Sequence, residues 1–273
     1  MSGTVITITS GKGGVGKTTT TANLAVALAQ KGKKVACIDA DIGMRKLDAI
    51  LGVTSQITYD LVDVIEGHAR LRHALVQDFR LPKLALLPAS STSNKDVIKE
   101  YQMVMLCKEL RSVFDFVLID CPAGIESGFR NAITPADEII LVVTLDVVSV
   151  RAGDRVVGLI EQIDKPTPRL VINRFRPMLT KKKNTVDLAY VLDLLSLELI
   201  GIIPEDESVI AAGHKGQPLT LASHSRAAFA FNQIARRLMG EYIPAQDFVP
   251  QPSIAERLSA YFGFQSRPRL VEC

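Results

Sequence analysis

The sequence has few cysteines, no long apolar run and no excess of charge of one sign. Its four cysteines, Cys37, Cys107, Cys121 and Cys273, form no C-x-x-C pair and have no metal-ligand spacing. We therefore expect reduced thiols in a cytosol-like compartment rather than a disulfide scaffold or a zinc site. No run of 18 apolar residues occurs, so we expect no segment that spans a membrane.

The formal net charge is only +3 at pH 7, with both signs dispersed along the chain. This excludes the strongly basic class that binds nucleic acid through its phosphates, and we expect no nucleic-acid partner. Residues 1–9 already have the pattern of a strand, so we expect no signal or transit peptide. The 273 residues, 47% of them hydrophobic, are enough for one large core.

The most informative stretch runs from Ser10 to Thr19 and reads S-G-K-G-G-V-G-K-T-T. The alternating β-branched run Thr4–Ile8 before it predicts a strand, and the Ala- and Leu-rich stretch Thr18–Lys31 after it predicts a helix. Strand, glycine-rich turn and helix start are the context that the motif G-x-x-x-x-G-K-[ST] requires. The sequence therefore predicts a nucleoside-triphosphate site.

Each part of this loop has a physical role at such a site. Glycines allow successive backbone N–H groups to point at a phosphate, and the start of the helix adds positive potential. Lys17 has the charge and reach for the outer phosphates, and Thr18 has the hydroxyl for Mg²⁺. The predicted nucleotide contacts in the loop are Gly11, Lys12, Gly13, Gly14, Val15, Gly16, Lys17, Thr18 and Thr19.

Short apolar runs alternate with helical patterns along the rest of the chain. We predict further strands at 35–38, 84–87, 116–119, 139–143, 170–172 and 199–203, and helices that include 152–162 and 229–239. Near-continuous Val/Ile/Leu strands are typical of a parallel sheet covered on both faces. The pattern predicts a doubly wound α/β domain, with a mostly parallel sheet, over residues 1–240.

Carboxylates follow two of these strands. Asp39 and Asp41 come after the second strand, and Asp120 ends the fourth, where ligands bind in such sheets. Our hypothesis assigns Asp39 and Asp120 to the water shell of a Mg²⁺ ion and Asp41 to the attacking water. The stretch Asp120–Gly124 has the character of a switch that responds to the γ-phosphate.

Lys12 is a cation that the plain phosphate-loop motif does not require. The stretch Lys12–Thr18 resembles the deviant Walker A signature of ATPases that dimerise with nucleotide, in which this lysine reaches the partner's nucleotide. Much of the chain resembles the MinD family of septum-site-determining ATPases, in the group that includes ParA and the nitrogenase iron protein. The further stretches that carry the resemblance are 39–48, 59–64, 120–126, 171–174 and 201–206.

The resemblance implies an ATP-dependent homodimer with slow, Mg²⁺-dependent ATP hydrolysis in which Lys12, Lys17 and Asp41 take part. It implies that Asn173 and Pro204 flank the adenine base, which favours ATP over GTP. It also implies selection of the division site through a MinC-like inhibitor of division-ring (FtsZ) assembly and a MinE-like activator. Alternatives within the superfamily are a flagellar-number regulator and a ParA-type partition ATPase.

The chain departs from the family pattern at two places. The family usually has Asn-Pro-Glu where this chain has Leu145-Asp146-Val147, and an aspartate where this chain has Ala152. Helices in that region help to receive the partner proteins in the family. The resemblance therefore implies nucleotide binding more directly than partner binding.

The C-terminal part predicts a tethered amphipathic helix. Three prolines make residues 241–252 an extended linker, and Ser253 begins a Ser-x-x-Glu capping pattern. Ile254, Leu258, Tyr261 and Phe262 then form one apolar face. Such a face usually docks on its own domain, but its terminal, tethered place and the family resemblance favour membrane targeting by residues 253–273. We therefore expect a cytoplasmic or plastid-stromal protein, peripheral on the inner face of the membrane.

Overall fold

The computed structural model describes residues 2–93, 97–125, 127–176, 186–222 and 225–244. In these residues eight strands form one sheet, in the order β3-β4-β2-β5-β1-β6-β7-β8. All neighbours in it are parallel except the β3–β4 pair. The strands are β1 (Thr4–Thr9), β2 (Val35–Asp39), β3 (Val76–Gln77), β4 (Leu84–Leu87), β5 (Phe116–Asp120), β6 (Glu138–Val143), β7 (Arg169–Phe175) and β8 (Leu199–Pro204).

Helices cover both faces of this sheet. One face carries α1 (Lys17–Gln30), α2 (Leu47–Leu51), α10 (Leu219–Ala222) and α11 (Arg226–Leu238). The other carries α3 (Leu61–Ile65), α4 (Leu71–Ala74), α5 (Glu100–Leu110), α6 (Ser127–Ile133), α7 (Val147–Gln162) and α8 (Leu188–Leu195). Helix α9 (Glu207–His214) follows β8 and packs against α2. The predicted doubly wound, mostly parallel α/β fold is confirmed.

The seven predicted strands are all present, each within a few residues of its predicted bounds. The sequence did not predict β3, because its two residues are too short to show a period. Helix α1 agrees with the prediction to within one residue. Helix α7 begins at Val147, five residues before the prediction, because the Asp146 side chain accepts a hydrogen bond from the Ser149 N–H and caps the helix. Similarly, Ser225 caps α11 at Arg226, ahead of the predicted start.

Strand β1 lies at the centre of the sheet, at the point where the strand order reverses. Its neighbours are β5 and β6, and the chain leaves β1 toward β2 through α1 on one face. The connection from β5 to β6 uses α6 on the other face. In open α/β sheets ligands bind at such a reversal, outside the carboxyl ends of the strands. The loop after β1 is therefore the place to look for a site.

No helix among the described residues is both long and apolar enough to cross a bilayer. Of the predicted linker 241–252, only residues 241–244 are described. The predicted membrane-facing residues Ile254, Leu258, Tyr261 and Phe262 lie outside the described residues.

Candidate functional site

The loop between β1 and α1 forms an anion cradle. Gly14 and Gly16 have φ angles of 81° and 100°, which side chains rarely tolerate, and α1 begins directly afterwards at Lys17. The first N–H groups of that helix have no intrahelical acceptor and point toward the loop. Lys17 is only 8% exposed, so its charge lies in the cradle rather than in bulk water. This arrangement is suited to the phosphates of a nucleotide.

Two neighbouring segments fit closely around the loop. A Cβ at Gly11 would overlap the backbone carbonyl of Ala152 in α7, so that glycine lets the helix and loop touch. A Cβ at Gly13 would contact Ala123, in the segment predicted to be a switch. Gly124 has a φ angle of 95°, as expected for a residue that absorbs a sharp bend. The predicted switch thus lies beside the phosphate loop.

Asp39 and Asp120 are brought side by side. They are register partners at the ends of β2 and β5, and each is 1% exposed. The Asp39 carboxylate accepts hydrogen bonds from the N–H groups of Asp41, Lys46 and Leu47, at 3.0, 3.1 and 3.1 Å. Asp120 accepts a hydrogen bond from the Thr21 hydroxyl at 3.3 Å, and the nearby Thr18 hydroxyl acts to lower the pKa of Asp120. The two carboxylates therefore meet the start of α1.

Burial raises the pKa of both carboxyl groups above the ordinary range. For Asp39 the backbone N–H groups oppose that rise in pKa, and for Asp120 the charge of Asp39 adds to it. Thr18 and Lys17 act in the opposite direction on the pKa of Asp120. A pair of carboxylates in this setting carries negative charge that a nearby cation would stabilise.

The residues present fit a Mg²⁺ ion held mainly through water and phosphate. Thr18, Asp39 and Asp120 supply only hard oxygen ligands, the kind that Mg²⁺ prefers. Among the described residues no three His, Cys, Asp or Glu side chains form a cage that could hold a metal alone. Magnesium usually binds through one or two carboxylates plus substrate phosphates. The carboxyl ends of β2 and β5, beside the phosphate loop, offer this arrangement.

Asp41 lies closer to solvent, just beyond the carboxyl end of β2. Its side chain is 13% exposed, and the Lys46 ammonium lies 3.7 Å from one carboxylate oxygen. It follows Asp39 by two residues but, unlike Asp39, remains accessible to solvent. Its position is compatible with a water-orienting group, and that role stays a prediction.

Lys12 reaches an acceptor that the sequence did not predict. Its Nζ atom lies 3.1 Å from Oδ1 of Asp146, and both residues line a cavity of about 300 Å³ beside the loop. Although partial burial acts to raise it, the pKa of Asp146 is lowered by hydrogen bonds from Thr144, Ser149 and Lys12. The two residues are separated by 134 positions, and no local pattern joins them. The lysine is therefore held within its own chain in this structure.

Asn173 and Pro204 line a second cavity, of about 270 Å³, together with Gly16 and Thr19. The structure thus brings both predicted base contacts to the phosphate loop. The Asn173 amide is already engaged, since Nδ2 donates to the Val15 carbonyl at 2.7 Å and Oδ1 accepts from the Arg174 N–H at 2.9 Å. Sequence reasoning missed the α9 side of this cavity, which includes Val209, Ile210 and His214.

Comparison with known proteins agrees with this geometry. Residues 6–219 match the family described as the CobQ/CobB/MinD/ParA nucleotide binding domain. The septum site-determining protein MinD of Bacillus subtilis is 45% identical over 267 residues, which is 97% of this chain and 100% of that protein.

Solved structures give the same result. The fold resembles a chain of the MinC:MinD cell division protein complex of Aquifex aeolicus, with a TM-score of 0.82 and 45% identity, over 88% of this chain and 97% of that one. It also resembles the septum site-determining protein MinD of Pyrococcus horikoshii complexed with Mg-ADP. There the TM-score is 0.78 and the identity 30%, over 86% of this chain and 95% of that one.

Proposed function

Because the chain belongs to the MinD family of septum-site-determining ATPases, we propose that it cycles on and off a membrane with ATP. In this cycle ATP drives dimerisation, and the dimer binds lipid and a division inhibitor. Hydrolysis reverses dimerisation and membrane attachment. The observation that carries the proposal is the phosphate cradle with the additional Lys12 at its rim, 3.1 Å from Asp146.

In the proposed reaction the phosphates occupy the cradle Gly11–Thr19 and Lys17 neutralises the outer phosphates. Thr18, Asp39 and Asp120 would hold a bound Mg²⁺ ion, which would supply neutralisation of the phosphate charge. Asp41 orients the attacking water. An ordinary carboxylate is a weak base, so its contribution is positioning rather than proton abstraction.

Lys12 has a second role in the proposal, as the group that makes the dimer depend on ATP. Two triphosphates that face each other repel, and a cation donated across the interface converts that repulsion into attraction. The same charge stabilises the transition state, as an arginine finger does. For this to happen Lys12 must leave Asp146. The ion pair can open easily, since both side chains are about two-fifths exposed to solvent.

Membrane attachment is assigned to residues 253–273. Four partly inserted side chains contribute roughly 1.5–3 kcal/mol each before the losses from incomplete insertion and helix ordering, so one anchor binds lipid weakly. Two anchors on one particle gain on the order of 10²–10⁴ in avidity. Dimerisation with ATP is therefore enough to move the protein from solution to the bilayer.

The partners are proposed from the relatives. One similar solved chain is part of a complex with MinC, so we assign a MinC-like division inhibitor to the ATP-bound dimer. A MinE-like activator of hydrolysis completes the cycle. With these partners, the protein keeps division-ring (FtsZ) assembly away from wrong positions.

Sedimentation with anionic vesicles tests the whole cycle. The full chain should co-sediment with phosphatidylglycerol-containing vesicles in Mg²⁺-ATP and remain in solution in Mg²⁺-ADP. A chain that ends at Pro252 should still bind and hydrolyse ATP but stay off the vesicles, because it lacks the apolar face. Equal binding with ATP and ADP, or a full chain that stays monomeric with ATP, would contradict the proposal.

A further inference from the structure

The hairpin between β3 and β4 carries an ion pair between a buried carboxylate and a partly exposed arginine, outside the nucleotide site. Asp78 is 2% exposed, and Arg80 binds it with two parallel bonds, Nε to Oδ1 at 2.9 Å and Nη2 to Oδ2 at 2.7 Å. The Arg80 N–H also donates to Asp78, at 2.8 Å. A bidentate pair of this kind fixes the plane of the guanidinium group.

The same guanidinium group joins the ends of two helices. Nη1 of Arg80 donates to the carbonyl of Gly216, just after α9, at 2.9 Å, and Nη2 donates to the carbonyl of Leu51, the last residue of α2. Carbonyls at helix C-termini lack intrahelical partners and carry the negative end of the helix dipole. One cation therefore satisfies the carbonyl at the end of α2 and a carbonyl of the turn that follows α9.

The backbones of these two helix ends are also in contact. Gly52 and Gly216 have φ angles of 70° and 61° and face each other. A Cβ at Gly52 would overlap the Gly216 carbonyl, and one at Gly216 would lie 2.7 Å from the Gly52 Cα. The two helix ends are therefore packed backbone against backbone.

Each helix contacts a different part of the nucleotide site. The carboxyl ends of β2 and β5, which carry Asp39 and Asp120, are called the metal edge below. The N-terminal end of α2 is bound to this metal edge, because the Leu47 N–H donates to Asp39 at 3.1 Å. The second cavity, which contains the predicted base contacts Asn173 and Pro204, is called the base cavity below. Helix α9 forms one wall of it, the base wall, through Val209, Ile210 and His214. The position of the base wall is thus linked, through two short helices, to the position of Asp39.

We propose that Arg80 is a positioning residue that locks the base wall of α9 to α2 and hence to the metal edge of the site. It contacts neither the phosphate loop nor the base cavity, so it acts only through these helices. The inference deepens the proposed function and rests on it for ATP as the ligand. Its consequence is that the base contributes fully to affinity only while Arg80 holds both helix ends.

Calorimetric titration with Mg²⁺-ATP and with Mg²⁺-tripolyphosphate, which has no base, tests this role. We expect Arg80→Ala to lower the ratio of ATP affinity to tripolyphosphate affinity about tenfold, roughly the effect of one charged hydrogen bond. Arg80→Lys keeps the charge but cannot bridge three acceptors, so it should restore the ratio only in part.

Arg111→Ala is the matched control. Arg111 also bonds a carbonyl, that of Gly3 at 2.9 Å, and pairs with Asp137 at 3.1 Å, but these partners directly precede the central strands β1 and β6 rather than following α2 and α9. It should lower the urea midpoint without changing the affinity ratio. Arg80→Lys is the variant to measure if Arg80→Ala does not fold.

An affinity ratio within twofold of wild type in folded Arg80→Ala, or in Arg80→Lys where Arg80→Ala does not fold, overturns the inference and leaves the proposed function intact. An equal fall in Arg111→Ala also overturns it, because the effect would then follow general stability. A wild-type chain that binds no ATP overturns the proposed function and, with it, this inference.

Discussion

Asp146 joins the phosphate loop to α7 through a carboxylate with three partners. One oxygen caps the helix by accepting from the Ser149 N–H at 2.9 Å and also pairs with Lys12 at 3.1 Å. The other accepts from the Thr144 hydroxyl at 2.6 Å. The chain has Ala152 where the family usually has an aspartate, and Ala152 contacts Gly11 through its backbone. The anionic partner of Lys12 in this structure is the carboxylate that caps α7.

We expect Asp146→Asn to favour the ATP-dependent dimer. Asparagine keeps the cap and the Thr144 bond but removes the charge that holds Lys12 within its own chain. A half-exposed ion pair contributes about 0.2–1 kcal/mol, and each dimer releases two of them, so the dimerisation constant should rise by roughly two- to thirtyfold. Sedimentation equilibrium with a non-hydrolysable ATP analogue measures it. Asp154→Asn, on the exposed side of the same helix, is the control and should change nothing; an unchanged constant in Asp146→Asn would contradict the expectation.

A substitution at Asp41 should separate dimerisation from hydrolysis. Asp41→Ala leaves the phosphate cradle and the buried pair Asp39–Asp120 in place, so nucleotide binding and the dimer should persist. Loss of an oriented water should slow turnover by about 10²-fold. Phosphate release measures the turnover, and sedimentation equilibrium with ATP measures the dimerisation of the same variant. Normal turnover in the variant would remove Asp41 from the mechanism.

Among the elements, α7 is the helix that packs most closely on the site, and its glycines differ in their surroundings. A Cβ at Gly153 would lie 3.0 Å from Val143 Cγ1, in the core beneath the helix. A Cβ at Gly158 would have open space on every side within 4 Å. The close packing at the N-terminal half therefore requires a glycine, and the C-terminal half does not.

We expect these two glycines to respond in opposite ways to alanine. Gly158→Ala should stabilise the protein by about 0.5–1 kcal/mol, because alanine is the better helix former and meets no neighbour. Gly153→Ala should give no such gain, since the new methyl group must displace Val143. Urea unfolding of both variants provides the measurement, each serving as the other's control. Equal shifts in the midpoint would show that packing beneath α7 is not tight.

The elements that the sequence predicted are those that carry their own signal. The central strands are continuous Val/Ile/Leu runs, and the loop between β1 and α1 has a motif that determines its conformation. Strand β3 and the true start of α7 were missed, since one is two residues long and the other is set by a single capping carboxylate. Local patterns therefore predicted the central strands and the phosphate loop, and missed the elements whose bounds depend on one side chain.

For the molecule as a whole, the buried carboxylates at the metal edge should make stability depend on pH. The pKa values of Asp39 and Asp120 are raised by burial, so the folded state binds more protons than the unfolded chain above about pH 4. The contribution of these groups to the stability of nucleotide- and metal-free protein should therefore decrease as the pH rises from about 4 toward 7.

Comparison with Asp120→Asn isolates this contribution. The variant has no carboxylate to ionise at that position, so its urea midpoint should fall less than that of wild type between pH 5 and 7.5. At the higher pH it should be the more stable of the two. Parallel curves for the two proteins would contradict the expected proton linkage.

The site as a whole was less predictable than its parts. The carboxyl ends of β2 and β5 had to meet for Asp39 and Asp120 to become partners, and this follows from the predicted parallel sheet. The pairing of Lys12 with Asp146 and the junction at Arg80 join residues 134 and 136 positions apart. Such contacts depend on the final packing of helices, which no short window of sequence encodes.

The central place of β1 bears on how the protein is made. Its neighbours in the sheet are β5 and β6, which end at Asp120 and Val143, although β1 itself ends at Thr9. A nascent chain emerging from the ribosome would therefore carry a β1 without neighbours until more than 100 further residues had been synthesised. Pairing over such a separation is slow and leaves strand edges open to other chains in the meantime. Nucleotide capture must then be a late event of biogenesis, after the first half of the polypeptide has been assembled.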